Sequence, residues 1–513
     1  MPAEFSDKHS SSIRTATSFF RRNILAVVVI STLLVIPCFW HSRIQAGDLG
    51  SHVYNAWLAQ LIEHHQVPGL TLARQWSNIL FDLLLLQTAN LVGFAAAEKI
   101  VVSFAVLVFF WGCFFFLAQA SGNPPWKLTP FLFVLSYGYV FHMGFMNYYL
   151  SIGFAFLALA LAWRGGAGNW LGAVVVSAIG LLAHPVGFVL FVTVVAYVSL
   201  WRVLSRWTRL ALPAIAIISF VLVKFYFAGH KLLEPNWRSY GFFQLLGQNQ
   251  INLFGHRYVI LSWIALAWGF TIALAAIYDW TFRARSPSVD LRLAVELYLL
   301  AVIATFCLPE NFHVGLYAGW IGLLVSRLTL VTAIFGLLVL ACLRLPRWSI
   351  HGNVLCALLF FFFLYQDTGK LDHLERTARE AIEPLAPGTR IVAVANPPQD
   401  WRVQFIYHSI DRACIGHCFS FANYEPSSLQ FRVRALPGNY VVTTSVDQSD
   451  DMSSGDYVVK KEDLPLTSIY QCDQADFTQL CALPLRARQK TEDPESEPVP
   501  QATLDAPDQQ SEN

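Results

Sequence analysis

The sequence predicts an α-helical polytopic membrane protein with about ten or eleven transmembrane helices, followed by a small external α/β domain. Hydrophobic residues make up 55% of the 513 residues and charged residues only 13%, about half the share of roughly 25% in a soluble domain. Apolar runs long enough to cross roughly 30 Å of hydrocarbon recur along the chain as far as residue 366. Lipid is therefore the expected solvent for most of this protein.

The apolar runs mark the expected spans. A polar N-terminal tail, residues 1–20, precedes the first run, whose basic flank is also typical of a secretory signal. No small-residue cleavage site follows that run, so we predict that it is retained as the first helix. The runs fall at residues 22–40, 77–96, 100–119, 128–143, 148–163, 170–200, 210–228, 258–280, 292–308, 316–342 and 351–366.

One of these runs is longer than a single span requires. The run 170–200 contains His184-Pro185, and a proline inside a helix removes a hydrogen bond and clashes with the preceding turn. Two arrangements fit this run, one kinked helix or two short helices.

The placement of basic residues predicts the orientation. Lys and Arg in short loops favour the cytoplasmic side. With a cytoplasmic N-terminus, separate basic clusters all fall on that side, namely Arg21 and Arg22, then Arg202, Arg206 and Arg209, then Arg283, Arg285 and Arg292, then Arg344 and Arg347. This orientation places outside the segments 41–76, 229–257 and 309–315 and everything after Gln366.

The composition changes after the last run and predicts a separate external α/β domain over residues 367–488. Apolar runs shorten there, and Arg390–Val394 and Tyr440–Thr444 are typical of strands. Metal ligation by a Cys-x3-Cys pair with His417 is one use of the cysteines in this region. Disulfides in an oxidising compartment are the other, and the candidates are Cys414, Cys418, Cys472 and Cys481. The polar tail 489–513 is predicted to be disordered.

The first external loop, residues 41–76, carries the strongest candidates for catalysis. Its stretch Gly47–His65 holds Asp48, about eight residues beyond the first run, and apolar residues recur at helical spacing after it. We expect an amphipathic helix at the membrane surface, with Asp48 and His52 one turn apart on the same face. A carboxylate there can deprotonate an acceptor or, with the imidazole, help to hold a divalent cation. The alternative is that Asp48 caps the helix.

Polar residues also surround the start of the second run. Arg74 lies just before this run, Asn78 lies at its start and Asp82 falls inside it. A carboxylate inside the membrane is costly and usually faces a partner or a wet cavity. These three residues are candidates for binding a substrate. A purely structural pairing of Asp82 is the alternative.

A third group lies around the segment 309–315. Glu310 and His313 belong to this segment, and Arg327 follows some way below the outer surface. An unpaired guanidinium is costly there, and a phosphate is a natural bidentate partner for it. These residues are predicted to bind substrate, and an internal ion pair or snorkelling is the alternative for Arg327.

The loop 229–257 adds Lys231 and Arg238, which suit an acidic lipid head group or a sugar, although loops of this kind are often only solvated.

ATP-driven transporters and the common hydrolases lose support, because the chain has no Walker loop, no Gly-x-Ser-x-Gly elbow and no His-Glu-x-x-His. The net charge of +1 comes without a basic stripe, so no nucleic-acid partner is expected.

An acidic residue soon after the first run, in Gly47-Asp48-Leu49-Gly50-Ser51-His52, resembles the GT-C superfamily of integral membrane glycosyltransferases, as do the many short helices and the external C-terminal domain. The resemblance extends over most of residues 20–366 as architecture. It implies a polyprenyl-phosphate-linked sugar donor and a role for Asp48 as catalytic base or metal ligand. This chain departs from the superfamily because it has no Asp-x-Asp and no Asp-Glu pair, which leaves open whether a divalent cation is needed and which acceptor is used.

Two further stretches, Gln75–Asp82 and Asn423–Pro426, are similar to segments of uncharacterised bacterial membrane proteins. That likeness names no reaction. From the residues and the GT-C resemblance we predict inverting sugar transfer on the periplasmic face of a bacterial inner membrane, with lipid as a partner. Asp48 would take the acceptor's proton, His52 would assist it, and Arg327 would hold the leaving phosphate. The alternatives are a transporter or flippase of a lipid-linked intermediate and a non-catalytic partner in envelope polysaccharide assembly.

Overall fold

The protein is described by a computed structural model that covers the chain in several ranges, namely 11–205, 207–229, 233–236, 246–283, 291–314, 320–343, 345–394, 398, 400–403, 406–473 and 476–491. Helices dominate these ranges. They are α1 (Ser11–Val35), α2 (Leu49–Glu63), α3 (Leu80–Val92), α4 (Phe94–Ser121), α5 (Thr129–Ser136), α6 (Tyr139–His142), α7 (Met146–Arg164), α8 (Ala167–Ala183), α9 (Pro185–Val203), α10 (Thr208–Gly229), α11 (His256–Arg283), α12 (Leu291–Cys307), α13 (Leu324–Cys342), α14 (Ser349–Ile382), α15 (Ile406–Ala413), α16 (Glu425–Ser428) and α17 (Val446–Ser454).

In the described residues the strands are short and form three sheets. They are β1 (Leu70–Leu72), β2 (Leu233–Asn236), β3 (Asn311–Val314), β4 (Trp320–Ile321), β5 (Arg390–Val394), β6 (Phe419–Ser420), β7 (Val433–Ala435), β8 (Thr467–Gln471) and β9 (Leu480–Pro484). The largest sheet has the order β6-β5-β8-β9, with β5 parallel to both neighbours and β8 antiparallel to β9. A second sheet, β2-β3-β4, is antiparallel, and β1 pairs antiparallel with β7.

Apolar helices support the predicted class of α-helical membrane protein. In the described ranges, seven helices are long and apolar enough to cross a membrane: α4, α7, α9, α10, α11, α13 and α14. Three shorter apolar helices, Arg22–Cys38, α3 and α8, lie in other predicted runs. The run 292–308 forms α12, which carries an ion pair between Arg292 and Glu296 and is not among these candidates.

The run 128–143 is not one span. It forms α5 and α6, which Gly138 separates with extended backbone. A Cβ at Gly138 would lie 3.0 Å from the carbonyl oxygen of Gln250, so the chain passes close to another segment at this point. Most of the run is buried inside the protein. Its apolar character therefore reflects packing against protein, which a hydropathy pattern does not distinguish from contact with lipid.

The run 170–200 forms two helices, α8 and α9. Of the two predicted arrangements, one kinked helix or two short helices, the second is therefore the one observed. His184 between them has extended backbone and caps α9, since its Nδ1 accepts a hydrogen bond from the backbone N–H of Val186 at 3.3 Å. Pro185 occupies the first turn of α9, where its missing N–H costs nothing.

The helix predicted in the first external loop exists as α2, but it is not an exposed interfacial helix. Nearly every residue from Leu49 to Ala59 is buried. The C-terminal part of the chain covers it: the Ser420 N–H donates to the Tyr54 hydroxyl at 2.9 Å, and the Ser51 hydroxyl donates to Glu425 at 2.6 Å. Helix α2 is therefore an internal element between the helical part and the C-terminal part.

The C-terminal part is partly as predicted. Strand β5 matches Arg390–Val394, and disulfides join Cys414 to Cys418 and Cys472 to Cys481. The strand predicted at Tyr440–Thr444 is wrong, because the Asn439 side-chain oxygen accepts from the N–H groups of the two following valines and turns the chain. Helix α14 also runs through the predicted boundary at residue 366 to Ile382.

Buried ion pairs fix α15 against the helical part. The Arg412 guanidinium lies 3.1 Å from Glu98 of α4 and donates from Nε to Glu375 of α14, also at 3.1 Å. Arg43 adds a second pair with Glu98 at 3.4 Å. All of these carboxylates are buried. Removing Arg412 would take a counter-charge away from buried Glu98 and Glu375. These pairs therefore set where α15 lies.

Candidate functional site

Backbone contacts set the position of Asp48. The N–H groups of Gly47 and Asp48 donate to the carbonyls of His142 and Met143, at 2.7 and 3.0 Å. Gly144 lies against this segment with φ +78°, and a Cβ there would lie 2.4 Å from the Asp48 nitrogen. Only glycine fits both the backbone angle and this close approach.

The Asp48 carboxylate does not cap α2. Asp48 occupies the capping position, and its carbonyl accepts from the His52 N–H at 2.9 Å, but its side chain makes no capping hydrogen bond. The side chain is 28% exposed. The carboxylate therefore remains open to another partner.

A histidine from α15, His408, faces Asp48. Its Nε2 lies 3.7 Å from Asp48 Oδ1, and its Nδ1 lies 2.9 Å from Asp411 Oδ2. The other Asp411 oxygen accepts a hydrogen bond from the Ser420 hydroxyl. Burial lowers the pKa of His408, but Asp411, then Asp48 and Glu425, outweigh it and raise that pKa to about 9. His408 is therefore an imidazolium at neutral pH.

His52 faces Asp82 instead of Asp48. Its Nδ1 lies 2.6 Å from Asp82 Oδ1, and Asn147 donates to the other Asp82 oxygen at 2.7 Å. Burial lowers the pKa of His52, whereas Asp82 and, to a smaller extent, Glu425 and Asp48 raise it to about 9. Asp82 is thus a paired carboxylate that ties α3 to α2 and α7.

Glu425 is a further carboxyl group that contacts α2, the helix that carries His52. It is buried, and the Ser51 hydroxyl donates to it. Burial raises the pKa of Glu425 to about 7, while His52, Ser51 and His408 act in the opposite direction. A proton is therefore exchangeable at this position near neutral pH.

Arg327 lies in the first turn of α13. Its guanidinium stacks 3.8 Å from the centre of the Phe145 ring, and Asp48 exerts the largest electrostatic effect on it. The Arg327 Nε is buried and has no hydrogen-bond partner in the described part of the chain. A buried donor without an acceptor is costly, and an anion that supplies oxygens would satisfy it.

Glu310 holds the helix that carries Arg327. Its carboxylate accepts from the N–H groups of Val325 and Ser326, at 3.0 and 3.2 Å, and from the Ser326 hydroxyl at 2.8 Å. Glu310 is buried. The carboxylate therefore caps α13, which leaves it little capacity for the substrate role predicted for it.

The remaining predicted site residues lie apart from this cluster or outside the description. Arg74 is exposed, and Asn78 has φ +57° at the start of α3, a conformation that asparagine tolerates. Lys231 and Arg238 lie outside the described residues. The backbone of His313 pairs with Glu234 and Trp320, but its side chain is outside the described part.

No metal centre is found in the described ranges. Within them, no group of three or more His, Cys, Asp and Glu side chains is placed to hold a metal ion. The cation site predicted at Asp48 and His52 gains no support, because His52 is paired with Asp82. Metal ligation by Cys414 and Cys418 is wrong, since they form a disulfide.

His408, Asp411 and Glu425 belong to this cluster but were not predicted from the sequence. A signal existed for the first two, because a histidine and an aspartate three residues apart lie on one face of a helix. Glu425 falls in the stretch Asn423–Pro426, to which the sequence assigns no role.

No protein-family model, no curated protein and no solved structure matches the chain.

Proposed function

We propose that the protein is a membrane glycosyltransferase that moves a sugar from a polyprenyl-phosphate donor to an acceptor. The observations that carry this proposal are the partly exposed Asp48 carboxylate, which makes no capping hydrogen bond and faces the His408 imidazolium, and the buried Arg327 Nε, which has no hydrogen-bond partner among the described residues. A general base and a cation with an unused donor are the two groups that such a transfer would use.

In the proposed reaction Asp48 accepts the proton of the acceptor hydroxyl while that oxygen attacks the anomeric carbon. The bond between this carbon and the phosphate oxygen breaks, and its electron pair leaves with the polyprenyl phosphate. Arg327 stabilises the phosphate as its charge develops. Attack from the face opposite the phosphate inverts the anomeric configuration.

The proposal also sets the location. The basic clusters favour a cytoplasmic N-terminus and an external C-terminal part, so the site would lie on the periplasmic face of a bacterial inner membrane. The two disulfides of the C-terminal part suit that oxidising compartment.

The test is consumption of a panel of polyprenyl-phosphate sugars by purified protein, with Asp48→Asn and Glu63→Gln compared with the wild type. Glu63 is an exposed carboxylate at the far end of the same helix and serves as the matched control. We expect turnover in the wild type and in Glu63→Gln but not in Asp48→Asn. Movement of a donor across vesicle bilayers without consumption would instead identify a transporter.

A further inference from the structure

The C-terminal part of the chain contributes the imidazole that faces Asp48. Helix α15 carries His408 and, one turn later, Asp411 and Arg412, and Arg412 ties the helix to α4 and α14 through buried ion pairs. The disulfide between Cys414 and Cys418 closes the turn between α15 and β6. The position of His408 is therefore set from several sides.

The orientation of the His408 ring is also fixed. Its Nδ1 is held by Asp411, whose other oxygen accepts from Ser420. Its Nε2 therefore points at Asp48, at 3.7 Å. This distance is longer than a hydrogen bond. The Asp48 oxygens are therefore free to accept a hydrogen bond from another donor, while the positive charge of the His408 ring lies close to them.

Negative groups surround this ring. Asp411 acts from the same helix, Asp48 from the start of α2, and Glu425 from α16, where the Tyr424 ring also lies 5.6 Å from the imidazole centre. Carboxylates on three elements favour the imidazolium form over the neutral form.

We propose that His408 is a positioning residue that holds the Asp48 carboxylate in place, aimed at the acceptor. The proposal assigns the C-terminal part to the site itself and not only to its cover. It rests on the proposed function for the role of Asp48 as base. Asp411 and Ser420 act behind His408 by fixing its ring, as a carboxylate does for a catalytic imidazole.

The coupling of His408 to Asp48 is measured without any substrate. Hydrogen–deuterium exchange at the C2 position of histidine, followed by peptide mass spectrometry, gives a midpoint pH for each imidazole. We expect a midpoint for His408 near pH 9 in the wild type and a lower one, by about one unit, in both Asp48→Asn and Asp411→Asn. Exposed His64 is the internal reference and should not move. An unchanged His408 midpoint in Asp48→Asn overturns the proposal.

The role in turnover is measured with His408→Gln and the matched control His64→Gln. We expect His408→Gln to lower kcat about ten-fold or more with little change in KM. A kcat in His408→Gln equal to that in His64→Gln overturns the proposal. A wild type without turnover refutes the proposed function instead, and the exchange experiment still decides the coupling.

Discussion

At the scale of single residues, the site depends on which histidine pairs with which carboxylate. Asp48 was predictable because an acidic residue follows the first apolar run, but its partner His408 was not, because the two lie far apart in the sequence. His52, which is close in sequence, is taken by Asp82. Spacing along a helix predicts which side chains share a face, not which of them reach a third residue.

Arg327 supplies the first prediction at this scale. Arg327→Gln should lower donor turnover about a hundred-fold, because the leaving phosphate loses its counter-charge. Arg327→Lys should recover part of the rate, since it restores charge without the bidentate fork. Initial rates of donor consumption give the comparison. Exposed Arg347→Gln is the control, and an Arg327→Gln protein as fast as this control would remove Arg327 from the mechanism.

The imidazolium pairs make stability fall at high pH. The pKa values of His52 and His408 are raised from 6.5 to about 9, so their contribution is complete below pH 6.5 and is lost as the pH rises through about 9. Between about pH 7.5 and 9.5, thermal unfolding of the wild type should shift further downwards than that of a His52→Gln/His408→Gln protein. A double variant of exposed histidines, His64→Gln/His351→Gln, should follow the wild type. Equal shifts in all three proteins would contradict the assignment.

At the scale of elements, apolar runs predicted helices well but not their surroundings. The run 148–163 became α7 with nearly the predicted limits. The run 128–143 and α2 were misplaced for the same reason: both are buried in protein, the first among the helices and the second under the C-terminal part. Hydrophobicity measures exclusion from water, and protein and lipid both provide it.

Gly144 supplies a prediction at the scale of elements. Gly144→Ala would place a Cβ against the Asp48 backbone, whereas Gly122, with a similar φ of +77°, has nothing within 4 Å. Gly122→Ala should therefore cost only the backbone strain, about 1 kcal/mol. Gly144→Ala should cost more in thermal unfolding and should also lower donor turnover. Equal effects of the two substitutions would show that the close approach at Gly144 does not set the position of Asp48.

At the scale of the whole molecule, the helical part and the C-terminal part meet at the site. Strand β1 of the first loop pairs with β7, and α15 is tied to α4 and α14 by buried charges. The sequence predicted a separate external domain, since the composition shows where the long apolar runs end. It does not show that the following chain folds back over α2.

Topology supplies the prediction at this scale. The free cysteines in the described ranges are all buried, so a cysteine introduced at an exposed position should dominate labelling by a membrane-impermeant maleimide. In intact cells Glu63→Cys should be labelled and Arg347→Cys should not, because we expect the two positions on opposite faces. Labelling of both after lysis is the control. The reverse pattern would invert the proposed orientation.

The central claim is that Asp48 is the base of a sugar transfer from a lipid phosphate. Once the panel has identified a donor, the most direct measurement is the initial rate of polyprenyl phosphate release by the wild type and by Asp48→Asn. The account predicts a loss of about a thousand-fold or more in Asp48→Asn, with an unchanged elution profile and unfolding temperature. A folded Asp48→Asn protein that releases polyprenyl phosphate at the wild-type rate would contradict it.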